Sequence, residues 1–234
     1  MLENLDFQNV MVIDIETVPQ YSSYDQLPAP MQKLWADKTK RQRNDETPEE
    51  FYKCAGILAE FGKIICISAG IFTNSHGLRV KSFASHDEAS LLQKFADLLN
   101  GMSEKLILVG HNAKEFDFPY ICRRMLINRI KLPKQLDISC KKPWEICHMD
   151  TMEMWKFGDF KNYTSLSLLA AIFGIPTPKD DIDGSMVADV YWINNELDRI
   201  CTYCQKDVVT TAQLLKRFKG DELLEDDNIT IVSQ

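Results

Sequence analysis

Residues 10–19 read Val-Met-Val-Ile-Asp-Ile-Glu-Thr-Val-Pro, two acids inside what is otherwise the pattern of a buried strand. The apolar run Val10-Met11-Val12-Ile13 predicts the strand. Side chains alternate along it, so Asp14 and Glu16 project from one face while Ile13 and Ile15 point to the other. Spaced about 6–7 Å apart by strand rise, the two carboxylates repel each other and lose solvation. A bound divalent cation removes both penalties and makes the pair a hard oxygen site suited to Mg²⁺ or Mn²⁺. That points to metal-assisted phosphoryl chemistry.

Two further segments carry acids of the same kind. Asp117 lies in Gly-His-Asn-Ala-Lys-Glu-Phe-Asp-Phe-Pro-Tyr, residues 110–120, and Tyr203 and Asp207 lie in Tyr-Cys-Gln-Lys-Asp. Singly, each has an ordinary explanation. Asp117 stands where an N-cap aspartate would, just before the first turn that Pro119 opens. Tyr203 and Asp207 are one helical turn apart, at the edge of an apolar stripe formed by Leu197, Ile200, Cys201, Cys204, Val208 and Leu215. A solvated aspartate beside a core tyrosine would fit that position too.

Working outward from the first strand, residues 19–62 read as an insertion with two helices. Met31, Leu34, Trp35 and Lys38 follow helical spacing in the first. Thr47-Pro48-Glu49-Glu50 supplies a capping box for the second, whose apolar face is Phe51, Cys54, Ala55, Leu58 and Phe61, ended by Gly62. Strands are expected around 63–72, 78–84 and 105–110, with a helix from Ser85 carrying Leu91, Leu92, Phe95, Leu98 and Leu99 inward. Residues 145–154 suggest a fifth strand. Thr164 or Ser165 caps a helix stopped by Gly174 and Pro176. A short helix ends near Trp192, and a long one runs from about Asn195 to Phe218. This order describes an α/β domain with a mixed central sheet of about five strands flanked by helices.

The three acidic segments resemble the exonuclease motifs of the DEDD superfamily of 3′–5′ exonucleases, in its tyrosine-bearing branch. Asp14 to Thr17 matches the first motif. Asn112, Phe116, Asp117, Pro119, Tyr120 and Arg124 match the second, and Tyr203 to Asp207 the third. Thr202 stands where the histidine branch would need His. The wording is most similar to the proofreading domain of family B DNA polymerases, here as a stand-alone relative. The resemblance implies a ribonuclease H-like fold over residues 1–220, with 19–62 as a helical insertion and 221–234 as an acidic C-terminal tail. It implies two divalent cations, Mg²⁺ or Mn²⁺, flanking the scissile phosphate. Asp14 would bridge both, Glu16 and Asp207 would hold one, and Asp117 the other. Tyr203 would aim the attacking water. Thr17, Asn112, Phe116 and Lys179 are the candidate substrate contacts, with core packing an equal reading for Phe116. Asp150 is either a supporting group or a strand-end residue.

Composition sets the bounds. At 234 residues with 45% hydrophobic content the chain supports one substantial core. The first residues carry no basic segment followed by an apolar stretch, so no secretory signal is expected. No apolar run reaches membrane-span length. Seven scattered cysteines fit a reducing cytoplasm, and buried free thiols fit Cys201 and Cys204 better than a zinc site completed by Cys140, Cys147 and His148. A net charge of −7 argues against a large nucleic-acid surface. Local basic runs (Lys38, Lys40, Arg41, Arg43; Arg123, Arg124, Arg129, Lys131, Lys134, Lys141, Lys142) suit either wet surface or a few phosphates. The expectation is a 3′–5′ exonuclease on single-stranded or frayed DNA ends, with a replication or repair partner compatible with it. An RNA-trimming enzyme of the same branch is the alternative, and a non-catalytic binding module the alternative of another class.

Overall fold

Strand β1 (Val10–Pro19) is the strand about which the sheet is ordered. The computed structural model describes all residues except 1, 4, 74–76, 160, 162, 177–181 and 233–234. On one side β1 pairs antiparallel with β2 (Gly62–Phe72), which pairs antiparallel with β3 (Leu78–Ala84). On its other side β1 runs parallel to the short β4 (Ile107–Gly110), and β4 to the two-residue β5 (Met149–Asp150). A sixth strand, β6 (Ile229–Val232), lies parallel to β3, so the order is β5-β4-β1-β2-β3-β6. The helices are α1 (Ala29–Thr39), α2 (Glu88–Asn100), α3 (Asp117–Ile127), α4 (Thr151–Lys156), α5 (Leu166–Ile172), α6 (Val187–Asp189) and α7 (Leu197–Lys219). A π-helical stretch, Val190–Asn194, comes directly after α6.

Alternation along β1 divides the core. Met11, Ile13 and Ile15 are buried with Leu92 and Phe95 of α2 and Phe118, Ile121 and Met125 of α3. Full burial of each such side chain stabilises by about 1.5–3 kcal/mol. Val10 and Val12 face the other way, into a cluster with Val208, Ala212 and Leu215 of α7. Helix α7 lies close on β2: a Cβ at Gly70 would stand 2.8 Å from Val208 Cγ1, so only glycine admits the helix at this height. Gly220 closes α7 in the left-handed region (φ +86), behind a last turn holding Lys216, Arg217 and Lys219 that complements the helix dipole.

The insertion folds on its own aromatic centre. Trp35 is fully buried among Phe51, Tyr52 and Phe61. The capping box is made as expected: Thr47 N donates to Glu50 Oε2 at 2.8 Å and Glu50 N to Thr47 Oγ1 at 3.2 Å. The segment it opens is a 3₁₀ helix, Glu50–Ile57, and Gly62 begins β2 instead of ending a helix. Tyr120 Oη donates to Gly56 O (2.7 Å) and Arg124 Nη1 to Ala59 O (2.8 Å), fastening the insertion to α3. Arg124 also forms a buried bidentate pair with Glu88, which accepts the Ile64 N–H as well. A buried pair satisfied on all sides in this way ties four segments together.

Several expectations are corrected. Among the described residues the sheet has six strands, because Ile229–Val232 pairs with Leu78–Lys81 where only an acidic C-terminal tail was expected. Residues 145–154 are a strand of two residues and then α4, because the Asp150 carboxylate caps the helix by accepting from Met152 N and Glu153 N. The helix after β3 is capped by Asp87, while Ser85 Oγ accepts from Asp87 N. Leu34 points to solvent. Among the described residues no helix is long and apolar enough to cross a membrane.

Candidate active site

The acids of β1 stand on the α7 face, with Glu16 buried and Asp14 partly so. Oxygens of both and Cys204 Sγ of α7 lie within 4.8 Å of one another. The Cys204 thiol donates to the Asp14 carbonyl oxygen (3.4 Å), holding helix against strand. Where Glu16 and Thr17 pass β2, the register slips: Glu16 pairs with Cys66 but Thr17 with Ile64. Such a bulge re-aims the side chains beside it.

Asp117 reaches the site by a route set by strand lengths. The last β1–β4 pair is Val12 with Val109, so beyond it this edge of β1 has no strand neighbour. Asp117, first residue of α3 and 4% exposed, accepts the Ile15 N–H at 3.1 Å. It therefore sits between Asp14 and Glu16 in sequence height and does not act as an N-cap, that position being Phe116. From the opposite side, Tyr203 and Asp207 face the cluster. The phenol hydrogen-bonds the Asp207 carboxylate, and both groups are partly buried.

Electrostatics show what the arrangement lacks. Burial raises Asp14 well above the usual carboxylate range, and the neighbouring Cys204, Glu16, Asp117 and Asp207 raise it further. Glu16 is raised in the same way, first by burial and then by Cys204, Asp207 and Asp117. Asp117 is pushed up to about 7, chiefly by burial, against hydrogen bonds from its own and the Ile15 backbone N–H that act the other way. Burial and then the nearby acids also raise the Tyr203 phenol. One oxygen, Asp14 Oδ2, is buried with no hydrogen-bond partner. Clustered carboxylates with raised proton affinity and an orphaned oxygen fit a divalent cation, since a cation removes the repulsion and gives that oxygen a partner. The oxygen-rich donor set favours a hard ion, and the thiol is already engaged with the backbone.

The other candidates divide. Asn112 lies in the turn that leads into α3, with φ +61 and a buried, unpartnered Oδ1. Thr17 spends its hydroxyl on Tyr120. Phe116 packs on the core, its ring 5.3 Å from that of Tyr120. Lys179 lies outside the described residues. Of the basic runs, Arg124 is committed to Glu88, and Arg43 to Thr39, Ala36 O and Glu46 O. All seven cysteines carry thiols outside any disulfide, and His148 is used by Leu108 N and Gln135 O. Cys204 gives no sign of a site role in the sequence, hidden as it is in the apolar stripe. Asp150, open between two readings from sequence, has the spacing to Glu153 of an N-cap with an acidic third residue.

Comparison with known proteins adds an independent line. The family model described as a predicted 3′–5′ exonuclease related to the exonuclease domain of PolB matches residues 57–226. That range contains Asp117, Tyr203 and Asp207 and leaves Asp14 and Glu16 outside it. A DNA polymerase of Pyrococcus glycovorans is 24% identical over 178 residues, covering 67% of this chain and 22% of the polymerase. The family B DNA polymerase of Pyrobaculum calidifontis superimposes with a TM-score of 0.54 at 15% identity, over 89% of this chain and 24% of that one. The RNase domain of yeast Pop2 gives a TM-score of 0.38 at 12% identity, over 95% and 81% of the two chains. The mixed sheet and its helices have the ribonuclease H-like architecture. The chain spans about a quarter of the length of the polymerases it matches.

Proposed function

The chain belongs to the family of predicted 3′–5′ exonucleases related to the exonuclease domain of PolB, and on that premise we propose that it is a metal-dependent nuclease of the tyrosine-bearing DEDD branch. The reaction is hydrolysis of the terminal phosphodiester at single-stranded or frayed 3′ ends of DNA, releasing nucleoside 5′-monophosphates. The observation that carries this reading is the meeting of Asp14, Glu16, Asp117 and Asp207 from three distant segments around a buried carboxylate oxygen with no partner. Two Mg²⁺ or Mn²⁺ ions held by these four carboxylates would activate the attacking water and stabilise the leaving 3′ oxygen.

The remaining work falls to the chain's own groups. Tyr203 stays protonated at neutral pH, because its phenol is raised above its ordinary value. It is therefore suited to hold and aim a water, not to take its proton. Asp117 fixes its own position through Ile15 N, which ties the first turn of α3 to β1 at the level of the acids. Asn112 Oδ1 is an acceptor awaiting a donor. The 3′-hydroxyl of a terminal nucleotide supplies one and removes the cost of leaving that oxygen unsatisfied. Similarity to DNA polymerases supports DNA over RNA. The insertion, packed on Val18 and α3, is read as a wall beside the cleft.

The test uses 5′-labelled single-stranded DNA and RNA of one sequence with Mg²⁺, Mn²⁺ or EDTA, beside Asp14→Ala. A metal-dependent ladder shortening from the 3′ end, absent in the variant, is expected, faster on DNA. A faster RNA ladder would move the reading to the exoribonuclease. No ladder and no Mn²⁺ binding would move it to a binding module.

A further inference from the structure

Asp150 ends the edge strand β5, beside Gly110 of β4. It is 2% exposed. A buried carboxylate beside a metal-binding cluster invites a role as one more ligand, and its hydrogen bonds argue otherwise. Oδ1 accepts from Asn112 N (3.0 Å), Met152 N (2.9 Å) and Glu153 N (3.3 Å), and Oδ2 accepts from Lys114 N (2.9 Å). Three donors crowd Oδ1 and a fourth holds Oδ2, so the carboxylate is committed to backbone N–H groups of two segments. Two of them belong to the start of α4. The other two belong to the turn between β4 and α3, where Asn112 is held at φ +61.

That turn leads directly to the site. Phe116 N donates to Asn112 O and Phe118 N to Ala113 O, so its shape is passed without a break into the first turn of α3, where Asp117 begins. A second tie runs from the His111 ring to Thr151 Oγ1 and Thr164 O, both 2.9 Å. A left-handed backbone is one that asparagine tolerates among non-glycine residues, and the N–H groups of Asn112 and Lys114 in this turn share one partner, Asp150.

The geometry points to Asp150 as a positioning residue: its carboxylate clamps the turn 112–114 onto the head of α4 and thereby sets both Asn112 and Asp117 for substrate and cation. It touches neither directly. The inference rests on the exonuclease reading for what is positioned, and its test carries a readout that does not.

Three variants separate the alternatives. Asp150→Asn, with its amide oxygen in the Oδ1 place, keeps the three bonds that atom accepts, the one from Asn112 N included, and loses the one from Lys114 N. Asp150→Ser still caps α4 but is too short to reach the turn. Asp150→Ala loses everything. Circular dichroism and a melting curve establish that each is folded, and if the Ala variant is not, the Ser variant serves. Mn²⁺ affinity by calorimetry and kcat and KM on single-stranded DNA are then measured. The Ser and Ala variants are expected to lose about 10–100-fold in Mn²⁺ affinity and in kcat, with KM raised through Asn112. Asp150→Asn is expected within roughly fivefold of wild type. Asp150→Asn as damaged as Asp150→Ala would make charge the requirement and overturn the clamp. Wild-type values in Asp150→Ser would do the same, reducing Asp150 to a helix cap. The expected Mn²⁺ pattern in a protein with no nuclease activity would break the exonuclease reading and leave the clamp standing.

Discussion

Odd-numbered residues of β1, Met11, Ile13 and Ile15, stand in continuous hydrocarbon under α2 and α3, whereas Asp14 and Glu16 on the opposite face stand under α7. The neighbours on that face are small or polar: Cys66, Ser68, Gly70 and Ser82, with Ser68 and Ser82 hydroxyls 2.9 Å apart and Gln205 Nε2 donating to Ser82 at 2.9 Å. One strand thus serves a face that maximises contact and a face that sacrifices it. The apolar side supplies stability that the acidic side consumes. Small residues under α7 let a helix come close enough to bring Cys204 to the acids of β1, and with it Tyr203 and Asp207 one turn apart.

The comparison is most sharply broken at its acidic end. Asp14→Ala is expected to lower turnover by about 1,000-fold or more, since it removes a central oxygen ligand worth several kcal/mol, while raising the melting temperature of the metal-free protein. A variant equally active in the same assay would remove Asp14 from the mechanism. Ile13→Ala, one residue away on the other face, is expected to do the reverse. It should cost about 2–5 kcal/mol of stability by cavity formation, read from chemical denaturation, with the Mg²⁺ dependence of the remaining folded enzyme unchanged. Gly70→Ala tests the close approach. Its methyl meets Val208 Cγ1, so about 1–3 kcal/mol is expected to be lost by overpacking, with activity falling as α7 withdraws. Tyr203→Phe is the mildest, expected to cost roughly tenfold in kcat because orientation is lost and ionisation is not. A loss matching that of Asp14→Ala would show the phenol doing more than aiming water.

The acidic face also gives a dependence on pH. Asp117 holds its proton to about 7 in the fold but releases it near the ordinary carboxylate value when unfolded. Between those limits the native state binds more protons, so the metal-free protein loses stability as pH rises through this window and levels off above it. Asp14 and Glu16, also raised, act with the same sign. Mn²⁺ is therefore expected to raise the melting temperature more at pH 7.5 than at pH 5.5, a dependence to which the apolar face contributes nothing. A metal-induced shift independent of pH would contradict the raised carboxylates.

Legibility in the sequence depends on how local each signal is. Asp14 with Glu16 and Tyr203 with Asp207 were readable because alternation and the four-residue turn are properties of a few neighbouring residues. The bond from Asp117 to Ile15 N was not, because it depends on β4 ending before β1 does, a fact held about 100 residues away in the chain. Strand β6 was hidden behind the acidic run that precedes it, and four residues leave little periodicity to detect. Helix α4 had its signal in Asp150 and Glu153, overlooked because Met149, Met152 and Met154 read equally well as a strand. Cys204 looked like core because it is core; only the position of β1 beneath it makes it part of the site.

Pairing of Leu78 with Ile229 covers the edge of β3 with a strand about 150 residues further along the chain. During synthesis the four carboxylates and Tyr203 are all in place once α7 has been made, yet the edge of β3 stays open until residue 232 has left the ribosome. In that interval the open edge, carrying Val80 and Leu78, is available to any extended segment nearby. A strand that carries none of the clustered carboxylates thus governs how long a chain that already holds all of them remains at risk of misassembly.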